Sequence, residues 1–321
     1  MCKKLATCSG ERKKEVWGLE TPRLPCPTPR QRAFALCTPE KNMTLITSPT
    51  NPRISRLHDL HTTRGRKKSG LFLMEGPHLL EALLNAHIEP REVYYQPELL
   101  QRTANGRSLL ARLKHDSSLP RERLVEVSER VIESLGEVQT SQGVVSVLSL
   151  DAFQPALVRA RRSTTLRPVL LILDGLADPG NMGTILRTAL AADVDEVLLT
   201  PNCVDCFSPK VVRAAAGAHL ALPVATNVSW DLIAERITLH CAGQRRVLLA
   251  EAGSPHLYFE QDLRLPFALI IGNEAHGPSQ EAYGLATLSI AIPLSNGVES
   301  LNAAMATGIV LYEAVRQARF S

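Results

Sequence analysis

Three short polar turns hold the residues of this sequence that are best suited to bind a ligand or to carry out chemistry. They are DPGN (178–181), GNEAHG (272–277) and IPLSNGVESLN (292–302), and each belongs to the end of an apolar run with the length of a buried strand. Glycine, proline and asparagine favour turns for local reasons, so one such turn alone would indicate little. In open α/β sheets, however, ligands bind at the carboxyl ends of the strands. Three such turns in one domain therefore predict one shared pocket.

The spacing of glycine, serine and cysteine disfavours several common kinds of site. No GxGxxG follows a strand, no GxxxxGK[ST] occurs, and Ser300 stands in ESLN rather than in a GxSxG turn. A dinucleotide-dependent dehydrogenase, a P-loop kinase and a Ser-His-Asp hydrolase are therefore disfavoured. Cys203 and Cys206 form a CxxC, but neither a second pair nor a histidine pair follows at zinc-finger spacing. We therefore expect no metal site.

Alternating strands and helices must position the three turns. From residue 168 the chain reads as the strand VLLIL, the first turn, the helix MGTILRTALAADV and the strand EVLL, which predicts a βαβ unit in a parallel sheet. PKVVRAAAGAHL is typical of another helix and SLNAAMATGIVLYEAVRQA of a long final one. Further strand candidates are LPVAT, VLLAEA, FALIIGN and LSIAIPL. The sequence therefore predicts an α/β catalytic domain over residues 169–321.

A smaller α/β module is predicted over residues 43–150. NPRISRLHDL indicates a helix that opens at Pro52, and the basic RGRKK (64–68) after it is interpreted as a loop. Strand candidates are LFLME, VYY, LVEV and VVSVLSL, and helix candidates are PHLLEALLNA and VIESLG. The proline-bounded, basic segment 151–168 is interpreted as a linker. Residues 1–42 are interpreted as a disordered extension, or as sequence that precedes a natural start at Met43.

Charge is distributed unevenly along the chain. Residues 1–50 and 51–167 each carry a net charge of +5, whereas residues 168–321 carry −6. A basic first half is typical of a segment that meets a polyanion. No apolar run reaches the roughly 18 residues of a membrane span. The extension is also richer in glutamate than an organellar transit peptide would be. We therefore expect a cytoplasmic protein that does not bind a membrane.

The three turns resemble the motifs of a known family. DPGNMGTILRTA, IIGNEAHG and IPLSNGVESLN closely resemble, in order, spacing and strand-end placement, those of the SpoU (TrmH-like) branch of the SPOUT RNA methyltransferases. The closing ATGIVLYEAVRQ is similar to that family's knotted C-terminal helix, and NPRI…FLMEGPHLLEAL is similar to its ribosomal-protein-like substrate-binding domain. The resemblance covers about residues 45–318. It implies a trefoil-knotted parallel-sheet catalytic domain, S-adenosylmethionine as cofactor, and a homodimer whose active site uses both subunits.

The resemblance also implies roles for individual residues, carried over by their position in the motifs. The activity implied is methylation of a 2′-hydroxyl of RNA ribose. The implied catalytic residues are Asn181, Arg187, Glu274, Ser300 and Asn302. The implied cofactor-binding residues are Gly272, Asn273, Ile292, Leu294 and Leu301.

These residue types suit methyl transfer to a ribose hydroxyl. The hydroxyl is a poor nucleophile, and the sulfonium methyl needs in-line approach. Orientation of the reactants can therefore lower the activation barrier by roughly 7–11 kcal/mol. Asn and Ser side chains can fix a ribose without adding charge. Arg187 can grip a phosphate bidentately beside the target ribose. In the family this arginine is often described as the base, which is awkward because the pKa of a guanidinium lies above about 12. We therefore rank orientation by Arg187 first and proton abstraction second.

Cations of the smaller module are candidates for contacts with the RNA backbone. The predicted set is Arg53, Arg56, Arg64, Arg66, Lys67 and Lys68. Aromatic residues make up only 4% of the chain, which favours structured RNA over stacked single strands. Ribosomal RNA is the first substrate expected, because the N-terminal module resembles that of family members acting on large-subunit RNA. Transfer RNA is the second, and a non-catalytic RNA-binding protein that kept the fold is the alternative from another class.

Overall fold

The computed structural model describes residues 45–115, 119–136, 141–155, 157–158, 169–241, 245–264 and 266–320. The predicted extension 1–42 and most of the predicted linker 151–168 lie outside these ranges. Within them the chain forms two β-sheets, each with its own helices. No helix of the described ranges is both long enough and apolar enough to span a bilayer.

The first sheet has four strands and contains every strand that the sequence predicts for it. Its members are β1 (Leu71–Glu75), β2 (Glu92–Tyr95), β3 (Leu124–Glu126) and β4 (Val144–Ser149), in the order β1-β4-β2-β3. Strand β4 runs antiparallel to β1 and β2, whereas β2 and β3 are parallel. The helices around this sheet are α1 (Pro52–His58), α2 (Thr63–Ser69), α3 (Pro77–Asn85), α4 (Pro97–Gln101), α5 (Ala104–His115) and α6 (Glu129–Leu135). We call the described residues up to 153 the N-terminal module.

Capping residues explain the first two helices of this module. Asn51 caps α1, because its side-chain oxygen accepts a hydrogen bond from the Arg53 amide at 2.9 Å. Thr62 caps α2 in the same way, accepting from the Gly65 amide at 3.0 Å, and Gly70 ends the helix with a left-handed φ of 69°. The prediction of a loop over RGRKK is therefore wrong. A cap at each end makes this basic stretch a short helix.

The second sheet has six strands, all parallel, which confirms the α/β parallel-sheet fold expected from the sequence. Its strands are β5 (Val169–Leu173), β6 (Glu196–Leu199), β7 (Val224–Ala225), β8 (Val247–Ala250), β9 (Phe267–Ile271) and β10 (Leu288–Ile290). Their order is β10-β8-β9-β5-β6-β7. The helices are α7 (Pro179–Ala191), α8 (Pro209–Ala214), α9 (Trp230–His240), α10 (Gln280–Leu285) and α11 (Ala303–Phe320). We call residues 169–320 the C-terminal module.

The strand order brings the three polar turns to one edge of the C-terminal module. Every residue of the neighbouring strands β5 and β9 is buried, as expected where helices cover both faces of a parallel sheet. Because all six strands point the same way, the residues after β5, β9 and β10 leave the sheet at the same edge. Strand β8 lies between β9 and β10, so the turn after β8 belongs to this edge as well. The trefoil knot stays a prediction, since strand order alone does not define how a chain is threaded.

Candidate active site

The first turn is built into the start of α7. Asp178 caps this helix, because its carboxylate accepts a hydrogen bond from the Asn181 amide at 2.7 Å, and Pro179 occupies the first helical position. Gly183 allows α7 to lie directly against α8: a Cβ at this position would come within 2.4 Å of the Ala214 Cβ. The position of Asn181 is therefore fixed both by the cap and by helix packing.

The second turn is closed by its own backbone and side chains. The amides and carbonyls of Asn273 and Gly277 bond to each other at 3.1 and 2.9 Å. The Asn273 side-chain oxygen accepts from the amides of Ala275 and His276, and its nitrogen donates to the Gly175 carbonyl at 2.6 Å. Asn273 thus joins the second turn to the residues that follow β5, and its side chain has a structural partner at each end.

Glu274 is the point where the first and second turns meet. Its carboxylate accepts hydrogen bonds from the Ala177 amide at 3.1 Å, the Asp178 amide at 3.3 Å and the Asn181 side chain at 3.0 Å. Partial burial by itself would raise the pKa of Glu274, but these donors hold it below its ordinary value. The carboxylate is therefore an anion that orders the loop between β5 and α7.

The third segment reaches the same cluster through its last residue. The Asn302 side-chain nitrogen donates to the Asn181 side-chain oxygen at 2.7 Å. The Asn302 oxygen accepts from the amides of Ala304 and Met305 at the start of α11. Asn181, Glu274 and Asn302 therefore form one hydrogen-bonded chain. Glu274 lies 93 positions after Asn181 in the sequence, and Asn302 lies 121 positions after it.

Two members of the predicted catalytic set stand outside this chain of hydrogen bonds. Arg187 is exposed, and among the described residues its guanidinium has no ion pair or hydrogen bond. It follows Asn181 on α7 by six residues, which is about 9 Å along a helix axis. Ser300 is also exposed and makes no side-chain hydrogen bond within the described ranges. Both side chains are free to meet a ligand.

The predicted cofactor-binding residues lie at the ends of β9 and β10 and on the segment that follows. Gly272 needs to be glycine because a Cβ there would lie 2.6 Å from the Pro278 nitrogen. Ile292 and Leu294 are half-buried, whereas 38% of Leu301 is exposed. These residues combine tight backbone turns with apolar side chains, an arrangement that suits a ligand with a flat ring and a polar tail.

The turn after β8 was not predicted from the sequence as part of the site. Glu251 follows that strand between the ends of β9 and β10, and its carboxylate accepts a hydrogen bond from the Tyr283 hydroxyl at 2.5 Å. The carboxylate raises the pKa of that hydroxyl. EAGS at 251–254 has no glycine pattern of a binding loop, so only the strand order indicates that it borders the site.

One predicted RNA contact, Arg66, is wrong. Only 2% of Arg66 is exposed, and its guanidinium bonds to Asp205 at 2.7 Å and to the Leu60 carbonyl at 2.7 Å. Arg53 is also engaged, because it donates to Glu92 at 2.8 Å. The predicted cations that are exposed are Arg56, Arg64, Lys67 and Lys68.

Comparison with known proteins agrees with this fold. Residues 168–312 match the model of the SpoU rRNA Methylase family, and residues 51–146 match that of the MRM3-like substrate binding domain. An uncharacterized tRNA/rRNA methyltransferase of Synechocystis sp. is 35% identical over 85% of this chain and 93% of the relative. The 23S rRNA (guanosine(2553)-2'-O)-methyltransferase RlmP of Bacillus subtilis is 30% identical over 84% and 98%.

A solved structure extends this agreement to the whole fold. The AdoMet-bound rRNA methyltransferase from Sinorhizobium meliloti superposes with a TM-score of 0.70 at 28% identity, covering 87% of this chain and 99% of that one. The fold defines an α/β protein with three polar turns at the carboxyl ends of the strands of a parallel sheet. The chain belongs to the SpoU methylase family, whose cofactor is S-adenosylmethionine.

Proposed function

We propose that this protein transfers a methyl group from S-adenosylmethionine to the 2′-hydroxyl of a ribose in ribosomal RNA. The observation that carries the proposal is the hydrogen-bonded chain of Asn181, Glu274 and Asn302, with the exposed cation Arg187 on the same helix as Asn181. An ordered polar cluster together with an exposed guanidinium on the same helix suits a substrate that has hydroxyls and phosphates.

The residues at the ends of β9 and β10 fit S-adenosylmethionine. The turn at Gly272 closes tightly on the backbone of Pro278, and half-buried Ile292 and Leu294 offer apolar surface to a purine ring. When bound, the cofactor supplies an electrophilic methyl group. The protein contributes the ordered turns that hold the ribose hydroxyl in line with that group, so that little reorganisation is needed during transfer.

Arg187 is assigned the role of orienting the target nucleotide. Its guanidinium can donate two parallel hydrogen bonds to the phosphate next to the target ribose. Direct proton abstraction by Arg187 ranks second, because a guanidinium stays protonated near neutral pH and so cannot readily accept a proton. Ser300 and Asn302, on the third segment, are assigned to the ribose hydroxyls.

The exposed cations of the N-terminal module are proposed to bind RNA phosphates. Arg64, Lys67 and Lys68 lie on α2, and Arg56 lies on α1. Contacts of this kind release counterions, so affinity for RNA falls as salt rises. A variant with Lys67 and Lys68 both replaced by Gln should bind RNA more weakly and with a shallower dependence on salt. Binding measured at several salt concentrations tests this.

We also propose that the protein is a homodimer, formed through the face of α11. Three large apolar side chains are exposed along and just before this helix: Leu301 by 38%, Met305 by 60% and Tyr312 by 50%. An apolar stripe of this kind is typical of an interface between subunits. Sedimentation of the wild type and of Met305→Glu tests the proposal. A dimer that the substitution converts to monomer supports it, and a wild-type monomer overturns it.

The first experiment combines purified protein, tritiated S-adenosylmethionine and separated ribosomal and transfer RNA from cells that lack the gene. Label that enters ribosomal RNA and survives in an alkali-resistant dinucleotide establishes ribose methylation. Label confined to transfer RNA would show that transfer RNA is the substrate. Cofactor binding without label in either pool would point to a precursor such as an assembling ribosomal subunit. Failure to bind the cofactor would leave a non-catalytic RNA-binding protein.

The cytoplasm is proposed as the place of action. The acidic residues of the first 42 positions, among them Glu11 and Glu15, are unusual for an organellar transit peptide. A fusion of residues 1–42 to a fluorescent protein tests this. Diffuse fluorescence is expected, and accumulation in an organelle would contradict it.

A further inference from the structure

One segment of the C-terminal module is built into the hydrophobic core of the N-terminal module. Val212 on α8 is 1% exposed and belongs to the same core cluster as Phe72 of β1. The Phe207 ring lies 5.0 Å from the Phe72 ring and 6.2 Å from the Phe153 ring. A Cβ at Gly217 would lie 3.3 Å from the Leu79 side chain. The segment 204–217 therefore packs as a part of both modules.

A partly buried ion pair between Arg66 and Asp205 joins the modules beside this packing. The Nε and Nη2 atoms of Arg66 donate to one Asp205 carboxylate oxygen at 2.9 and 2.7 Å. The guanidinium also donates to the Leu60 carbonyl and the Thr63 hydroxyl, so the described structure gives partners to all three of its nitrogens. The other Asp205 oxygen accepts from the Phe207 amide at 2.9 Å. Arg66 thus fixes α2 to the turn that positions Phe207.

The same turn is bonded to the residues that lead into the active site. The Val204 amide donates to the Leu176 carbonyl at 2.8 Å, and the Cys203 thiol donates to the Leu173 carbonyl at 3.2 Å. The residue after Leu176 is Ala177, whose amide donates to Glu274. A continuous series of short contacts therefore runs from α2 through the 203–207 turn to the Glu274 carboxylate.

We propose that Arg66 is a positioning residue that holds the exposed cations of α2 at a fixed distance and orientation from Glu274. Arg64, Lys67 and Lys68 lie on the same helix as Arg66, so an RNA phosphate bound by them is placed relative to the methyl-transfer site. The enzyme then selects its target ribose by geometry, in addition to any contact with the target base. This inference rests on the proposed function.

The test compares Asp205→Asn with the wild type and with a control, all as full-length chains. Asn at 205 keeps the volume and the acceptor for the Phe207 amide, but it turns an N–H toward the Arg66 donors. The control is Arg102→Met, which breaks an exposed ion pair with Glu129 that lies wholly within the N-terminal module. Four quantities are measured: affinity for S-adenosylmethionine, affinity for RNA, kcat, and the positions of the methylated riboses.

Asp205→Asn is expected to bind S-adenosylmethionine and RNA within twofold of the wild type, because neither set of contacts is altered. Its kcat is expected to fall at least tenfold, and the label is expected to spread to neighbouring riboses. Arg102→Met should match the wild type in all four quantities. A folded Asp205→Asn with wild-type kcat and a single modified ribose overturns the proposal. A loss of cofactor affinity parallel to the loss of kcat also overturns it, since the turn would then only support the cofactor site.

Two further measurements keep the proposal testable. If Asp205→Asn does not fold, Arg66→Lys takes its place, because it retains a cation beside Asp205 but cannot fill all the guanidinium's bonds. Hydrogen exchange in peptides covering 63–69 and 203–208 measures the stability of the joint, that is, of the Arg66–Asp205 contact between α2 and the 203–207 turn. This measurement does not require the protein to be active. Exchange that accelerates in both peptides of the variant supports the joint even if the wild type methylates no RNA. Unchanged exchange overturns it.

Discussion

Replacing Glu274 by glutamine is the most direct perturbation of the site. The carboxylate accepts three hydrogen bonds from two backbone amides and the Asn181 side chain. A glutamine has a single acceptor oxygen, so at least one donor will face its NH2 group. A hydrogen bond to a charged acceptor contributes about 1.5–3 kcal/mol, and the low end applies because Glu274 is exposed. Losing one or two such bonds therefore costs about 1.5–3 kcal/mol.

That cost should appear in catalysis. At 1.36 kcal/mol for each factor of ten, Glu274→Gln should lower kcat/KM roughly 13- to 160-fold. The assay is transfer of tritium from labelled S-adenosylmethionine to RNA, with thermal melting to verify folding. Glu281→Gln is the matched control, since this exposed glutamate on α10 has no side-chain partner among the described residues. A folded Glu274→Gln that loses less than threefold would refute the role of Glu274 in ordering the site.

The pH dependence offers an independent check on the same carboxylate. Its pKa in the folded protein lies below the ordinary value of about 4.3. The stability that Glu274 contributes is therefore present above about pH 4.3 and is lost as the pH falls through the lower, folded-state pKa. Thermal melting between pH 6 and pH 3 should show a smaller acid-induced loss of stability in Glu274→Gln than in the wild type. Equal losses would mean that its hydrogen bonds do not favour the ionised form.

Three other substitutions have distinct expected results. Arg187→Ala should abolish methyl transfer and leave cofactor affinity nearly intact, because this exposed guanidinium has no partner in the described chain; equal loss of both, by kinetics and calorimetry, would show that its role is misassigned. Gly272→Ala should destabilise the protein by about 1–3 kcal/mol and weaken cofactor binding, because its Cβ meets backbone at 2.6 Å, whereas Gly284→Ala, with open space around it, should be neutral or slightly stabilising in thermal melts. Burial lowers the pKa of His219 to about 4, so wild-type stability should fall by up to about 3 kcal/mol as the pH drops from 6.5 to 4. His219→Gln should flatten this fall in denaturant titrations, and an unchanged slope would assign it to other groups.

The fold could be predicted where its signals are local. The buried strands β5 and β9 are uninterrupted apolar runs, and α1 begins with an asparagine cap followed by proline. The helix over RGRKK could not be predicted as easily, because a dense basic stretch is also typical of a solvated loop. The burial of Arg66 depends on Asp205, 139 residues away, and no local pattern indicates such a partner.

The turns that form the candidate site could be predicted from the sequence, but the hydrogen bonds between them could not. The three turns were recognisable because their glycines and asparagines stand at the ends of apolar runs. Asn273 bonds to the carbonyl of Gly175 because β9 pairs directly with β5, and Asn302 reaches Asn181 from the segment after β10, which β8 separates from β9. Glu251 was missed for the same reason: only the position of β8 between those two strands places it at the edge of the site.

The insertion of segment 204–217 into the first core has a consequence for recombination within the family. A chimera that takes its N-terminal module from a relative, joined in the segment 151–168, would leave Phe207 and Val212 facing a foreign core. It would also leave Asp205 without its arginine unless the donor module supplied one. The unit that packs as one core is therefore discontinuous in sequence: it comprises the N-terminal module together with residues 204–217, and a graft that moves one without the other separates parts that must be exchanged as a pair.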